Sequence, residues 1–455
     1  MKMNRRKRYT AGICLGLAAG MVLFAGCSAG AVPEDAVSPP AEEIIAGDVR
    51  ENEEQHEQQR VAAPDIAEQM NVFSFTMGST LYQEYEGENF VNSPLSLWIP
   101  LAALLNATEE SVREEVLSGL GLTGATIAQV NEAAASMLYD LNKEQTKKIY
   151  AENGEEYDAP LTIANMVLVD QEYTITEEFQ AAFADYYGGE AMTVDFTGDE
   201  AVTAINEWAA EKTKGKLEQV VESLDPDTVA AIANAIYFSD AWGKEFNKQE
   251  TYQDVFYGEQ AELTADYMVR SGSGQSYYED EVLQATALEF AQGGSLYIFL
   301  PKEESASAVF TQMDMDYFAA IRDGMEDQAS GTLELPKFSI DGDAMDLIAV
   351  LDKLQIPYTD SARMVLTELV TDENAPLYVS SAVQKAMIEV DEKGATAAAV
   401  TVMSMETLSL IIEEPAAEFE MICNKPFFFV LTDCRSDSSS QILFTGVVNV
   451  PEYEE

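Results

Sequence analysis

The chain of 455 residues has one histidine, His56, and it lies in the polar run Glu51 to Arg60. A Ser-His-Asp hydrolase or a His-ligated zinc site therefore has almost no material here, although carboxylates remain plentiful. Basic side chains are also scarce: 26 Lys and Arg stand against 80 Asp and Glu, a formal charge of −54. Phosphate and sulfate groups need clustered cations, so the acidic excess argues against nucleic acid and heparin-like partners. There is no glycine-rich phosphate loop, no CxxC pair and no internal repeat. Nothing calls for a cofactor, and an enzyme is not expected. The chain holds four cysteines. Cys423 and Cys434 flank an apolar run that reads as one extended strand, which would hold them about 35 Å apart. A disulfide needs Cα atoms within about 7 Å. Both read as free thiols.

Hydrophobic residues make up 47% of the chain, enough for a sizeable core. At the N-terminus Lys2, Arg5, Arg6, Lys7 and Arg8 precede an apolar run from Ala11 to Gly26. That run is shorter than the roughly 20 residues that span a bilayer, so residues 1–26 read as a secretory signal. Its removal leaves 21 basic against 80 acidic side chains, a charge of −59. The next stretch, to Ala63, is acidic and lacks aromatics, so 27–63 read as a solvated tether. A folded domain is expected over 64–455.

Within that domain the spacing of Ile66, Met70, Phe73 and Met77 predicts a helix over Pro64–Tyr85. Ser93-Pro94 starts a second, with Leu95, Trp98, Leu101 and Leu105 on its apolar face. A third follows Thr108 to Ser111 and ends near Gly119. Strand-like runs follow at Leu161–Val169, Val229–Phe238, Gln284–Phe290, Ser295–Leu300, Gly331–Ile340, Leu377–Val379, Phe427–Leu431 and Ile442–Val450. Helices early and strands late argue an α+β fold. One stretch resists assignment. Ile388–Ile412 opens as a strand, turns at Asp391 to Gly394, and then runs uncharged from Ala395 to Met405. Its alanines favour helix and its Val and Thr a pleated surface.

Along the chain stand Asn89-Phe-Val-Asn-Ser-Pro-Leu-Ser96, Leu161-Thr-Ile-Ala-Asn165, Ile205-Asn-Glu-Trp208, Asn234-Ala-Ile-Tyr-Phe238 with Trp242, Leu335-Pro-Lys-Phe338, Asn424-Lys-Pro-Phe427 and Ile442-Leu-Phe-Thr-Gly446. In residues and in order these segments resemble the serpin family. The resemblance spans about residues 64 to 452. It implies three β-sheets, eight or nine helices and an exposed reactive-centre loop. It also implies a metastable monomer that a serine protease cleaves and that then inserts the loop into its main sheet, trapping the acyl-enzyme.

By resemblance, Glu392, Gly394, Ala395, Thr396, Ala397, Ala398 and Ala399 form the hinge of that loop, small and uncharged so that it can enter a packed sheet. The reactive bond, fourteen residues after Gly394, is Leu408-Ser409. Met405-Glu406 and Leu410-Ile411 are alternatives, because the stretch up to Asn424 is longer than is usual in the family. Leu408 suits a chymotrypsin- or elastase-like protease. Ser93, Ser96, Asn234 and Gln384 form a shutter that holds the strands closed. Gln384 stands in a helix-like segment at a place where the family has a histidine, and Trp208 is the tryptophan near the point of insertion. The ending before Cys27 resembles a bacterial lipoprotein signal, which implies lipidation of Cys27 and a membrane-anchored protein on the extracellular side. Two other readings stay open: a non-inhibitory binding module on this fold, and a cross-class inhibitor of cysteine proteases.

Overall fold

A computed structural model describes residues 64–145, 149–150, 156–157, 161–213, 215–259, 261–291, 293–341, 344–372, 374–375, 377–395, 418–433 and 440–453. The expected signal and tether, Cys27, Thr396 to Ala399, Leu408, Ser409, both alternative bonds and Cys434 lie outside them.

The described residues hold nine α-helices. The first covers Pro64–Tyr82, three residues shorter than expected, and buries Ile66, Met70, Phe73 and Met77. The second, α1 (Pro94–Ala103), starts as expected: the Ser93 side chain accepts from the Ser96 N–H and Pro94 occupies the first turn. All ten residues of α1 are buried. A helix buried on every side belongs in the middle of a core, and α1 runs beneath the main sheet.

That sheet is built from β1 (Leu161–Asp170), β2 (Glu190–Val194), β3 (Ala230–Phe238), β4 (Asp240–Ala241), β5 (Phe338–Asp341), β6 (Met345–Asp346), β7 (Ser381–Lys385), β8 (Met387–Val390) and β9 (Gly394–Ala395). It is hydrogen-bonded as two ladders, β6-β7-β3-β1-β2 below and β5-β8-β9-β4 above, joined where β7 runs on into β8 and β3 into β4. β7 runs parallel to β3, and β3 antiparallel to β1. The sequence of β3 sorts its two faces. Ala231, Ala233 and Ala235 meet helix α2 (Glu200–Lys212) in one cluster, whereas Ile232 and Ile236 belong to the main core.

Of the remaining strands, Ile149–Tyr150 and Glu156–Tyr157 pair with each other, and the other nine form one sheet in which the buried Phe427–Asp433 is third from one end. In it the 18-residue strand Glu262–Glu279 pairs first with Tyr252–Tyr257 and further on with Leu283–Glu289. Two register shifts in the strand Glu326–Pro336, opposite Gly272 to Tyr277, bend the pair at that point.

Three expectations need correction. The run Gly331–Ile340 is two strands, Glu326–Pro336 and β5, because Lys337 turns aside to donate its N–H to Asp266 O at 2.8 Å. Leu377–Val379 is not a strand: Val379 N–H bonds Tyr358 O at 2.7 Å instead of a neighbouring strand. The segment around Gln384 is not helix-like but the strand β7, with Ala382 and Gln384 inward and Ser381, Val383 and Lys385 outward. Pairing with an already buried strand overrides the helical propensity of so short a segment.

Candidate functional site: the head of the main sheet

A row of amides crosses the sheet. Register places Gln384 of β7 opposite Asn234 of β3, and Asn234 opposite Asn165 of β1. The N-terminus of α1 meets this row from below. Gln384 accepts from the Ser93 N–H at 3.0 Å and donates to Ser93 O at 2.8 Å and to Asn234 Oδ1 at 3.3 Å. Asn234 donates to Ser96 O and to Asn165 Oδ1, both at 2.7 Å, and its Oδ1 accepts from the Ser96 hydroxyl. Ser93, Ser96, Asn234 and Gln384 are thus brought together, all fully buried. Asn165 joins them. The sequence signal for it was a lone amide in an otherwise apolar strand, since a buried amide needs partners. The cluster contains no titratable group, and its contacts tie three strands to one helix.

Above this row the sheet parts. β7 is hydrogen-bonded to β3 from Ser381 to Lys385, but β8 pairs with β5 on one side and β9 on the other. β9 fills the gap at the top, antiparallel to both β8 and β4, with Ala395 opposite Val390 and Asp240. Gly394 and Ala395 are buried there. A Cβ on Gly394 would lie 2.2 Å from Asp240 O, so only glycine lets the two backbones come this close. Immediately below Ala395 is a cavity of about 10 Å³ lined by Tyr237, Phe238, Met387, Ile388 and others. Val390 and Asp240 stand in the same offset as Gln384 and Asn234 lower down, so β9 is in register with the gap it heads.

The turn feeding β9 is held from several sides. Asp391 Oδ1 accepts from the N–H groups of Lys393 and Gly394, a local turn that aspartate favours. Trp242 donates its backbone N–H to Lys393 O at 2.8 Å and its indole N–H to Asp391 O at 2.9 Å, and its ring stacks on Phe290 at 4.8 Å. The Phe246 N–H donates to Glu392 O. Glu392 is buried; its carboxylate accepts from the Thr251 hydroxyl at 2.8 Å and faces Lys337 Nζ at 3.7 Å, with both side chains under 7% exposed. On the outer face of β8, burial pushes the Glu389 carboxyl above its usual range, against the lowering effect of a hydrogen bond from Tyr453.

The tryptophan at the hinge is therefore Trp242. Trp208 sits on α2, packed in the cluster over the alanine face of β3. Helical spacing favours burial of Trp208 on α2's apolar stripe, which explains its place without the hinge. Cys423 is buried and free, and burial raises its thiol well above the usual range. Among the described residues no group of His, Cys, Asp and Glu could hold a metal ion.

Comparison with known proteins agrees over most of the chain. Residues 68–451 match the family model described as "Serpin (serine protease inhibitor)". An uncharacterized serpin-like protein of Methanosarcina mazei is 28% identical over 408 residues, covering 86% of this chain and 88% of that protein. Human alpha-1-antichymotrypsin is 27% identical over 383 residues, covering 83% and 86%. Among solved structures, the thermophilic serpin Tengpin in its native state superposes with a TM-score of 0.73 at 22% identity, over 85% of this chain and 94% of that one. Human thyroxine-binding globulin bound to its ligand superposes at 0.71 and 21% identity, over 86% and 99%.

Proposed function

The chain belongs to the serpin family, and from that premise we propose that it is an inhibitory member, a trap for secreted serine proteases of chymotrypsin- or elastase-like specificity. The supporting observation is the seating of Gly394–Ala395 between β8 and β4, in register with the strands below. A strand continued from Ala395 at that register sets residue 397 between Phe238 and Ile388, and Thr401 between Asn234 and Gln384. The first position is apolar and accepts alanine. The second offers a polar row that a hydroxyl can join without leaving an unpaired donor.

In this reading the protease serine attacks the Leu408 carbonyl, the Ser409 amine leaves, and an ester links Leu408 to the enzyme. The freed hinge then enters the sheet, with odd-numbered residues facing the core. The protease is carried along and distorted before water can cleave the ester. Stored strain is released by a covalent event at a loop. No Lys or Arg occurs from Ala395 to Ile422, which disfavours trypsin-like targets. Lipidation at Cys27 would place the trap on the outer side of a membrane, with residues 28–63 as its tether.

The test is incubation of the purified chain with elastase- and chymotrypsin-like proteases. A complex that survives denaturation, and a released fragment starting at Ser409 by mass spectrometry, are expected. The Ala397→Arg variant should be cut without trapping, since a buried unpaired guanidinium costs several kcal/mol (about 3–5). Clean cleavage of the unmodified chain by every protease, with no complex, would refute inhibition. The likeness of fold to thyroxine-binding globulin supports a second reading, a non-inhibitory binding module, for which loop cleavage brings no gain in thermal stability. Complexes that form with a cysteine protease and break with added thiol would mark the cross-class alternative.

A further inference from the structure

The last described residues cross the head of the sheet. Ser339 N–H of β5 donates to Glu452 O at 2.6 Å, and Pro451 is buried. The Tyr453 ring lies 4.2 Å from Lys337 Nζ, and its hydroxyl bonds Glu389 of β8. Ser339 and Glu389 are register partners, so the segment straddles both strands. Beside it opens a cleft of about 800 Å³ whose walls include Asp266, Asp341 and Glu452. Lys337 lines this cleft and yet its side chain is only 3% exposed, with the Tyr453 ring over its ammonium. Lys337 in turn faces Glu392, the residue two before Gly394. Tyr453, Lys337, Glu392 and the hinge thus form one line of contacts. The family match ends at residue 451, so Glu452 and Tyr453 lie beyond it.

We propose that Pro451–Tyr453 is a strap that keeps the Lys337–Glu392 pair dry and so sets how long the protein holds its uninserted form. This rests on the inhibitory reading above. An ion pair keeps its strength only where water and salt are kept out. The Tyr453 ring supplies that cover and adds attraction to the ammonium through its face. If the cover is removed, water from the cleft reaches Lys337 and screens its pull on Glu392, and the turn from Asp391 to Gly394 is freer to feed more residues into the gap. Tyr453 touches neither loop nor protease. It is a positioning residue.

The experiment holds the purified chain at one elevated temperature and follows the half-time for losing the protease-sensitive loop while gaining a higher melting point. Tyr453→Ala should shorten that half-time about tenfold, the effect of a desolvated cation–ring contact. Tyr453→Phe keeps the ring and should stay within about threefold of the unmodified chain. Lys337→Met should shorten the half-time on its own, and adding Tyr453→Ala to it should change nothing more; Glu392→Gln serves in its place if that variant does not fold. Equal half-times for Tyr453→Ala and the unmodified chain would overturn the strap, and so would an equal effect of Tyr453→Ala in the Lys337→Met background. Cutting the loop with the same protease separates the two readings. If cleavage raises the melting point and only the half-times fail to differ, the strap alone falls. If cleavage raises it in no variant, insertion does not occur and the inhibitory reading falls with the strap.

Discussion

Replacing Gly394 with alanine adds one methyl group to a buried hinge and tests the trap at its first step. The added Cβ would lie 2.2 Å from Asp240 O, 2.9 Å from Ala241 Cα and 3.1 Å from Asp240 C. All three are backbone atoms, so no side-chain rotation relieves the contact. Overpacking of this kind costs about 1–3 kcal/mol. In the resting protein β9 can escape it by leaving the gap. During insertion it must return, so the cost reappears in the barrier and slows insertion about 5- to 150-fold. Deacylation of the bound protease is untouched, so the number of inhibitor molecules cut and released for each one that traps, the stoichiometry less one, should rise by the same factor. Titration of a fixed amount of protease measures that number directly. Gly198→Ala is the control, because its added Cβ meets no atom within 4 Å. Unchanged stoichiometry for Gly394→Ala, or an equal change for Gly198→Ala, would refute the assignment of the hinge.

Other outcomes follow from the same geometry. Asn234→Ala removes the amide that donates to Ser96 O and Asn165 Oδ1 and accepts from Ser96 and Gln384, orphaning buried partners on α1, β1 and β7, so it should lower the unfolding free energy by about 2–4 kcal/mol, read by denaturant titration. Glu389 carries a raised carboxyl pKa, so the folded state holds its proton to higher pH than the unfolded state does. The stability it contributes is present in acid and falls as pH rises from the ordinary carboxylate range through the raised value. Glu389→Gln should therefore melt above the unmodified chain at neutral pH, with the difference vanishing below about pH 4. The reverse trend would contradict the burial argument.

The α+β class and the helix starting at Ser93-Pro94 were legible because capping and apolar spacing are local signals. The buried strands near Phe427 and Ile442 were legible for a similar reason: continuous apolar runs of that length have few other uses. The strand β7 was not. Ser381–Lys385 has only Ala382, Val383 and Gln384 between polar ends, and what makes it a strand is the parallel pairing with Ala231 to Ala235, about 150 residues earlier. Ser93, Ser96, Asn234 and Gln384 were found through the family resemblance. Their neighbour Asn165 stood in a family motif and went unremarked, because a pairing register cannot be read from one strand alone. Trp208 was expected at the hinge where Trp242 stands, for the same reason. Both are buried tryptophans in family-like segments, and only the path of the turn after Asp391 distinguishes them.

The seating of β9 bears on how the loop can vary. Strand growth from a formed end needs no search for alignment, in the way a crystal grows from a seed. The seed here is one residue paired on both sides, Ala395. Substitutions further along the loop change how well each rung fits. Adding or removing a single residue at the turn changes parity, and every later side chain would arrive on the wrong face. Under this logic the loop can tolerate many compositions beyond the hinge, while the count of residues between Val390 and Ala395 is fixed.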